Sequence, residues 1–148
     1  VSVNLSPHFT LSELTRTCTG LANEPSPSHV AALTSLCLHV LEPIRALLGA
    51  PLRVTSGFRG AAVNAAIKGA AGSQHMRGEA ADIVPVGVDV ETAMGLIAAA
   101  RLSVDQVIVY PRGGFLHVSY AAQRANRGEL LRSAASGGSG GPYSKWVP

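Results

Sequence analysis

The chain has 148 residues, a formal net charge of +3 and a pI near 9.2, with 47% hydrophobic and only 14% charged residues. That length suits one domain with a real core, and the composition argues against disorder over most of the chain. A mildly basic chain suits an anionic partner, but there is no Lys/Arg-rich run or aromatic-interleaved basic stripe, which argues against nucleic acid. No apolar run is read as long enough to span a bilayer, so no membrane partner is expected.

The first helix is announced by Thr10 and Glu13, spaced as a capping box, with Phe9 and Leu14 as its hydrophobic staple. A second helix starts at Ser26-Pro27, Ser as N-cap and Pro at the first helical position. Val30, Leu33, Leu36, Cys37, Val40, Leu41 and Ile44 then recur at helical spacing. Pro43 should kink or interrupt this helix, and Gly49 is its expected stop. Leu52 to Thr55 reads as a short strand, Ala61 to Lys68 as a short helix, and Gly69-Ala70-Ala71-Gly72 as a flexible approach to Ser73. Ala80 to Val84 reads as a buried strand, and Asp89 caps a helix running to about Ala100. Gln106 to Tyr110 and Phe115 to Tyr120 are strands of a hairpin around Pro111-Arg112-Gly113-Gly114. Beyond Ala121 the pattern fades. Residues 126–148 read as a Gly/Ser-rich linker, centred on Ser136 to Gly141, and an aromatic tail holding Tyr143 and Trp146. Cys18 and Cys37 are too few for a disulfide framework; both are expected as buried thiols, with a single bridge as the alternative.

The chemistry concentrates in Ser73-Gln74-His75-Met76-Arg77-Gly78-Glu79-Ala80-Ala81-Asp82. His75 and Asp82, with six residues between them, can meet at one metal if the chain turns at Gly78 and enters a strand. His117, on the last strand of the hairpin, is the third candidate ligand. Two imidazoles, one carboxylate and an open fourth position form a common arrangement for catalytic zinc. His8, His29 and His39 lack such a context and read as structural or surface residues.

Ser-x-His-x-x-Gly-x-Ala-x-Asp with the later His117-Val118-Ser119, and the upstream Ser56-Gly57-Phe58-Arg59 followed by Asn64, resembles the D-alanyl-D-alanine carboxypeptidase-like zinc peptidases. These include peptidoglycan carboxypeptidases, phage endolysins and the related hedgehog-type fold. The likeness runs from about Phe9 to Tyr120. The resemblance implies an α+β domain over residues 1–125, with a small antiparallel-rich sheet carrying a zinc site and the N-terminal helices packed on one side. It implies Zn2+ held by His75, Asp82 and His117, and hydrolysis of peptide bonds in peptidoglycan stem peptides, as carboxypeptidase or endopeptidase. Arg59 would hold a peptide carbonyl or stabilise the developing oxyanion, the alternative being a structural salt bridge. Ser73 would either bind a substrate carboxylate or cap the turn, and Gln74 would add a polar contact.

The general base departs from the family pattern. Some relatives place a Glu three residues before the last His, where this chain has Gly114; others place it at the end of the preceding strand, after an Asp-Gln pair. Here Asp105-Gln106 is present and the corresponding residue is Tyr110. A four-residue loop would pair Tyr110 with Phe115 and Ile108 with His117, which puts Tyr110 on the His117 face. Glu79 and Asp105 are the substitutes to weigh. A non-catalytic binding or virion structural module that keeps the fold is the alternative function, and a metal-dependent amidase a third. No charged leader followed by an apolar stretch precedes the fold. The expected location is therefore the host cytoplasm with release to the cell wall, or a virion, with the C-terminal tail as a candidate anchor to a phage assembly.

Overall fold

The computed structural model describes residues 3–148. Strands β1 (Asn4–Ser6) and β2 (Phe9–Thr10) form a small antiparallel pair ahead of helix α1 (Leu11–Thr15). The capping box is present: Thr10 Oγ1 accepts from the Glu13 backbone N–H at 3.2 Å, and Glu13 Oε2 accepts from the Thr10 N–H at 2.8 Å. Phe9 and Leu14, the two staple residues, are both buried.

Helix α2 (Pro27–Leu36) is capped by Ser26, whose Oγ accepts from the His29 N–H while His29 Nδ1 accepts from the Ser26 N–H. His29 thus fills the reciprocal place that a Glu or Gln usually takes in such a box. The helix then widens into one π-helical turn, Cys37–Leu41, before α3 (Glu42–Leu48). Pro43 lies in the first turn of α3, and the wider turn before it accommodates a residue with no N–H and a ring crowding the preceding turn. The expected interruption is thus a change of helical pitch within a continuous rod, which Gly49 ends in the left-handed conformation (φ 59°). At 22 residues, Pro27–Leu48 does reach the length and apolarity of a membrane-crossing helix, contrary to the expectation that no such run exists. Its Leu33, Leu36, Val40, Leu41 and Ile44 have no solvent exposure and pack in the core.

The main sheet has six strands in the order β3-β4-β6-β5-β7-β8. They are β3 (Leu52–Ser56), β4 (Ala80–Pro85), β5 (Gln106–Tyr110), β6 (Phe115–Ser119), β7 (Glu129–Ser133) and β8 (Tyr143–Lys145). Every neighbouring pair is antiparallel except β5–β7, which is parallel. Helix α4 (Ala61–Ala66) lies between β3 and β4, and α5 (Val90–Ala100), capped by Asp89, between β4 and β5. Side chains alternate across a strand. Ala81, Ile83, Val107, Val109, Leu116 and Val118 face the helices and join their apolar residues in one core. The intervening positions Asp82, Ile108, Tyr110 and His117 line a cleft on the other face. The architecture is therefore α+β, with a mostly antiparallel sheet.

Two sequence expectations need correction. The segment after residue 125 is more than linker and tail: β7 and β8 extend the sheet, and the half-buried Trp146 packs against the core while its backbone N–H donates to the Leu130 carbonyl at 2.9 Å. The sequence pattern hides them because β7 alternates weakly and β8 is three exposed residues. The cysteines are both free, but only Cys37 is buried, and burial pushes its thiol up to about 12; Cys18 is exposed.

Candidate metal centre

His75 sits in a single 3-10 turn, Gln74–Arg77. Ser73 caps it, its Oγ accepting from the His75 N–H at 3.2 Å, and Gly78 closes it in the left-handed conformation (φ 72°). A side chain at Gly78 would also meet the His29 carbonyl oxygen, since a Cβ there would lie 2.7 Å from it. The turn fixes the ring, and His75 Nδ1 lies 2.8 Å from the Gly57 carbonyl. A carbonyl can only accept, so Nδ1 carries the proton and Nε2 presents its lone pair.

Asp82 and His117 are placed by register. They are directly opposed in the β4–β6 pair, and Ile108 opposes His117 in β5–β6. Asp82 Oδ1 lies 3.4 Å from His75 Nε2 and 3.0 Å from His117 Nδ1. The three candidate ligand atoms all lie within 4.8 Å of one another. Donors about 2 Å from one tetrahedral ion stand roughly 3.3 Å apart, so the donor set and spacing fit zinc. Burial alone would raise the Asp82 carboxyl, but His75 and His117 outweigh it and hold Asp82 well below the usual carboxylate range.

Arg59 enters the same cleft. Its backbone N–H donates to the His75 carbonyl at 3.0 Å and its Nη2 to Ser73 Oγ at 3.3 Å. Burial pulls the guanidinium pKa down, with Asp82 pulling it back up. The buried Nε of Arg59 has no hydrogen-bond partner. An unpaired buried donor is costly, which fits a group that a ligand completes. Of its two expected roles, Ser73 fills the turn cap, and it also accepts from Arg59.

Tyr110 pairs with Phe115 in the expected register and stacks on its ring at 4.3 Å. Its hydroxyl lies 3.0 Å from that of Tyr143, which comes from β8. Burial, followed by the Tyr143 contact, pushes the Tyr110 phenol far up, so it is a donor and no base. Glu79 and Asp105 do not reach the cleft as free carboxylates. Glu79 is buried and accepts from the Ala122 N–H at 3.0 Å and Arg77 Nε at 3.1 Å. Asp105 has no exposure and is held by Arg124, Arg127 and Gln74. Among the described residues that line the cleft, Asp82 is the sole carboxylate. The remaining histidines are structural: His8 bonds Glu42, His29 caps α2, and His39 stacks on Tyr120.

Sequence reasoning missed Arg124, Arg127 and Tyr143, all cleft-lining and all in the segment read as aperiodic. The two arginines three residues apart were a faint signal. Nothing in local sequence tied them to Asp105.

A carboxylate and a histidine presented by a sheet, with a second histidine from the adjoining turn, in a cleft beside an arginine, define a metal-dependent hydrolase type of site. The comparison with family models specifies the class: the chain belongs to the Peptidase M15 family, whose model matches residues 7–119. No curated protein matches the chain.

Proposed function

We propose that this protein is a zinc peptidase that hydrolyses peptide bonds in peptidoglycan stem peptides, as a D-alanyl-D-alanine carboxypeptidase or an endolysin-like endopeptidase. The convergence of His75, Asp82 and His117 in one cleft with Arg59 carries the reading. Zinc held by those three residues would supply Lewis acidity toward a peptide carbonyl and a water. The protein's own groups supply the remainder. Arg59, steadied by Ser73, offers its unpartnered Nε side to a carbonyl or developing oxyanion. Tyr110 offers a phenolic hydrogen bond from the opposite strand. The Gly57 carbonyl keeps the His75 ring in one tautomer and orientation. The proposed setting is the cell wall, reached from the host cytoplasm or on a virion. Digestion of purified peptidoglycan, with fragments read by mass spectrometry and a chelated control, tests the proposal. Metal-dependent release of D-alanine or of cross-link fragments supports it; an unchanged fragment pattern with zinc-loaded protein refutes it.

A second reading, a wall-binding module without turnover, draws on one observation: no cleft carboxylate remains beyond Asp82 among the described residues. It predicts pelleting with peptidoglycan and no new fragments.

A further inference from the structure

Arg124 and Arg127 follow β6, beyond residue 119 where the family match ends, and they line the same cleft as the His–Asp–His cluster. One carboxylate clamps both guanidiniums. Asp105 Oδ1 accepts from Arg124 Nη1 at 2.7 Å and Arg127 Nε at 3.2 Å. Its Oδ2 accepts from Arg124 Nη2 at 3.0 Å and Arg127 Nη2 at 2.7 Å. Asp105 is fully buried, whereas each arginine side chain keeps 46% of its exposure. One arginine would neutralise Asp105, so the second leaves a surplus positive charge facing the cleft.

Arg124 Nε takes no part in these bonds, and Arg127 Nη1 makes only a long ion pair with Glu129, at 3.9 Å, whose carboxylate also accepts from Gln106 Nε2. The buried clamp fixes both side chains in advance, so a ligand loses less freedom on binding. Gln74, next in the chain to His75, donates to Asp105 Oδ2 at 3.1 Å and ties the pair to the metal-ligand loop. Lys68 and Arg59 add further positive charge to the cleft lining.

We propose that Arg124 and Arg127 form a subsite for a carboxylate of the peptide substrate that lies away from the scissile bond, and so select acidic peptides. This rests on the peptidase reading of the cleft. The test is titration calorimetry of the full chain with L-Ala-γ-D-Glu-L-Lys-D-Ala-D-Ala, its glutamate α-carboxylate either free or amidated. The free acid should bind roughly 10-fold tighter or more, as a charge-assisted bidentate contact would give. In Arg124→Gln and Arg127→Gln, with folding checked by circular dichroism, that preference should shrink to about 3-fold or less on the same scale. The wild-type comparison alone decides the matter if a variant misfolds. Equal affinity for the two peptides, or binding of neither, overturns the subsite. Mass spectrometry of the same mixtures separates the two claims. Preference without cleavage leaves the subsite standing and removes the peptidase, and cleavage without preference does the reverse.

Discussion

The Tyr110 and Tyr143 hydroxyls meet at 3.0 Å, although Tyr110 lies in the family-matched hairpin and Tyr143 in a strand beyond it. Burial first, and this contact second, raise the Tyr110 phenol, and both rings line the cleft. Tyr110→Phe should retain zinc and lower turnover by about 10²-fold, the effect of removing one oxyanion donor. Tyr110→Glu should raise hydrolysis by restoring a carboxylate on the metal-facing side of the hairpin. Steady-state assays alongside zinc analysis check both. Unchanged turnover in both variants would reduce Tyr110 to a packing partner of Phe115.

The wild-type protein should bind one zinc per chain, and His75→Ala, Asp82→Ala and His117→Ala should each abolish stoichiometric uptake. Elemental analysis after dialysis gives the count. Zinc should also raise the wild-type Tm, because an ion bound only by the folded state stabilises it. A wild-type chain that takes up no zinc contradicts the site.

Asp105 should make stability depend on acid. Burial alone would raise its carboxyl, but the bonds from Arg124 and Arg127 outweigh that and depress it in the folded state. Stability from a depressed carboxyl is complete above the unfolded value and lost as pH falls toward the folded one. The loss should therefore begin below about pH 5. Asp105→Asn should flatten this part of the profile and lower stability at pH 7 by about 2 kcal/mol. Urea unfolding at pH 7, 5 and 3 measures both effects. Equal acid sensitivity in the variant would show that other carboxylates carry it.

Gly78→Ala should cost about 1–3 kcal/mol, since it adds a side chain to a left-handed residue. The contact with the His29 carbonyl adds to that cost. Thermal unfolding reads the loss, and zinc affinity should fall with it because the turn orients His75. An unchanged Tm would mean that the turn relaxes freely.

The candidate metal ligands were legible because most of their pattern is local. His75 and Asp82 share one motif, and His117 stands in the later His-Val-Ser of the resemblance; its place opposite Asp82 appears only in the β4–β6 register. The helix caps were equally local, written in Thr10, Glu13 and Ser26. What stayed hidden depends on long-range pairing. Asp105 has the residue type of a base, but arginines 19 and 22 positions later occupy its oxygens. Cys18 carries no periodic signal of its exposure. The parallel pairing of β7 with β5 follows a long crossing connection, which hydrophobic alternation alone does not reveal.

The pairing of β7 with β5 also sets where the domain can be cut. A chain trimmed after residue 119 would keep all three candidate metal ligands and the whole family match. It would also bare the backbone of β5, whose Val107 and Val109 have no solvent exposure. A long apolar strand with unpaired N–H and C=O groups is a template for aggregation. In this structure β8, three exposed residues ending in Lys145, is instead the outermost strand on that side of the sheet among the described residues. The C-terminal arm is thus the sheet's own protection against joining its neighbours, and the folding unit extends past the limits of the family match.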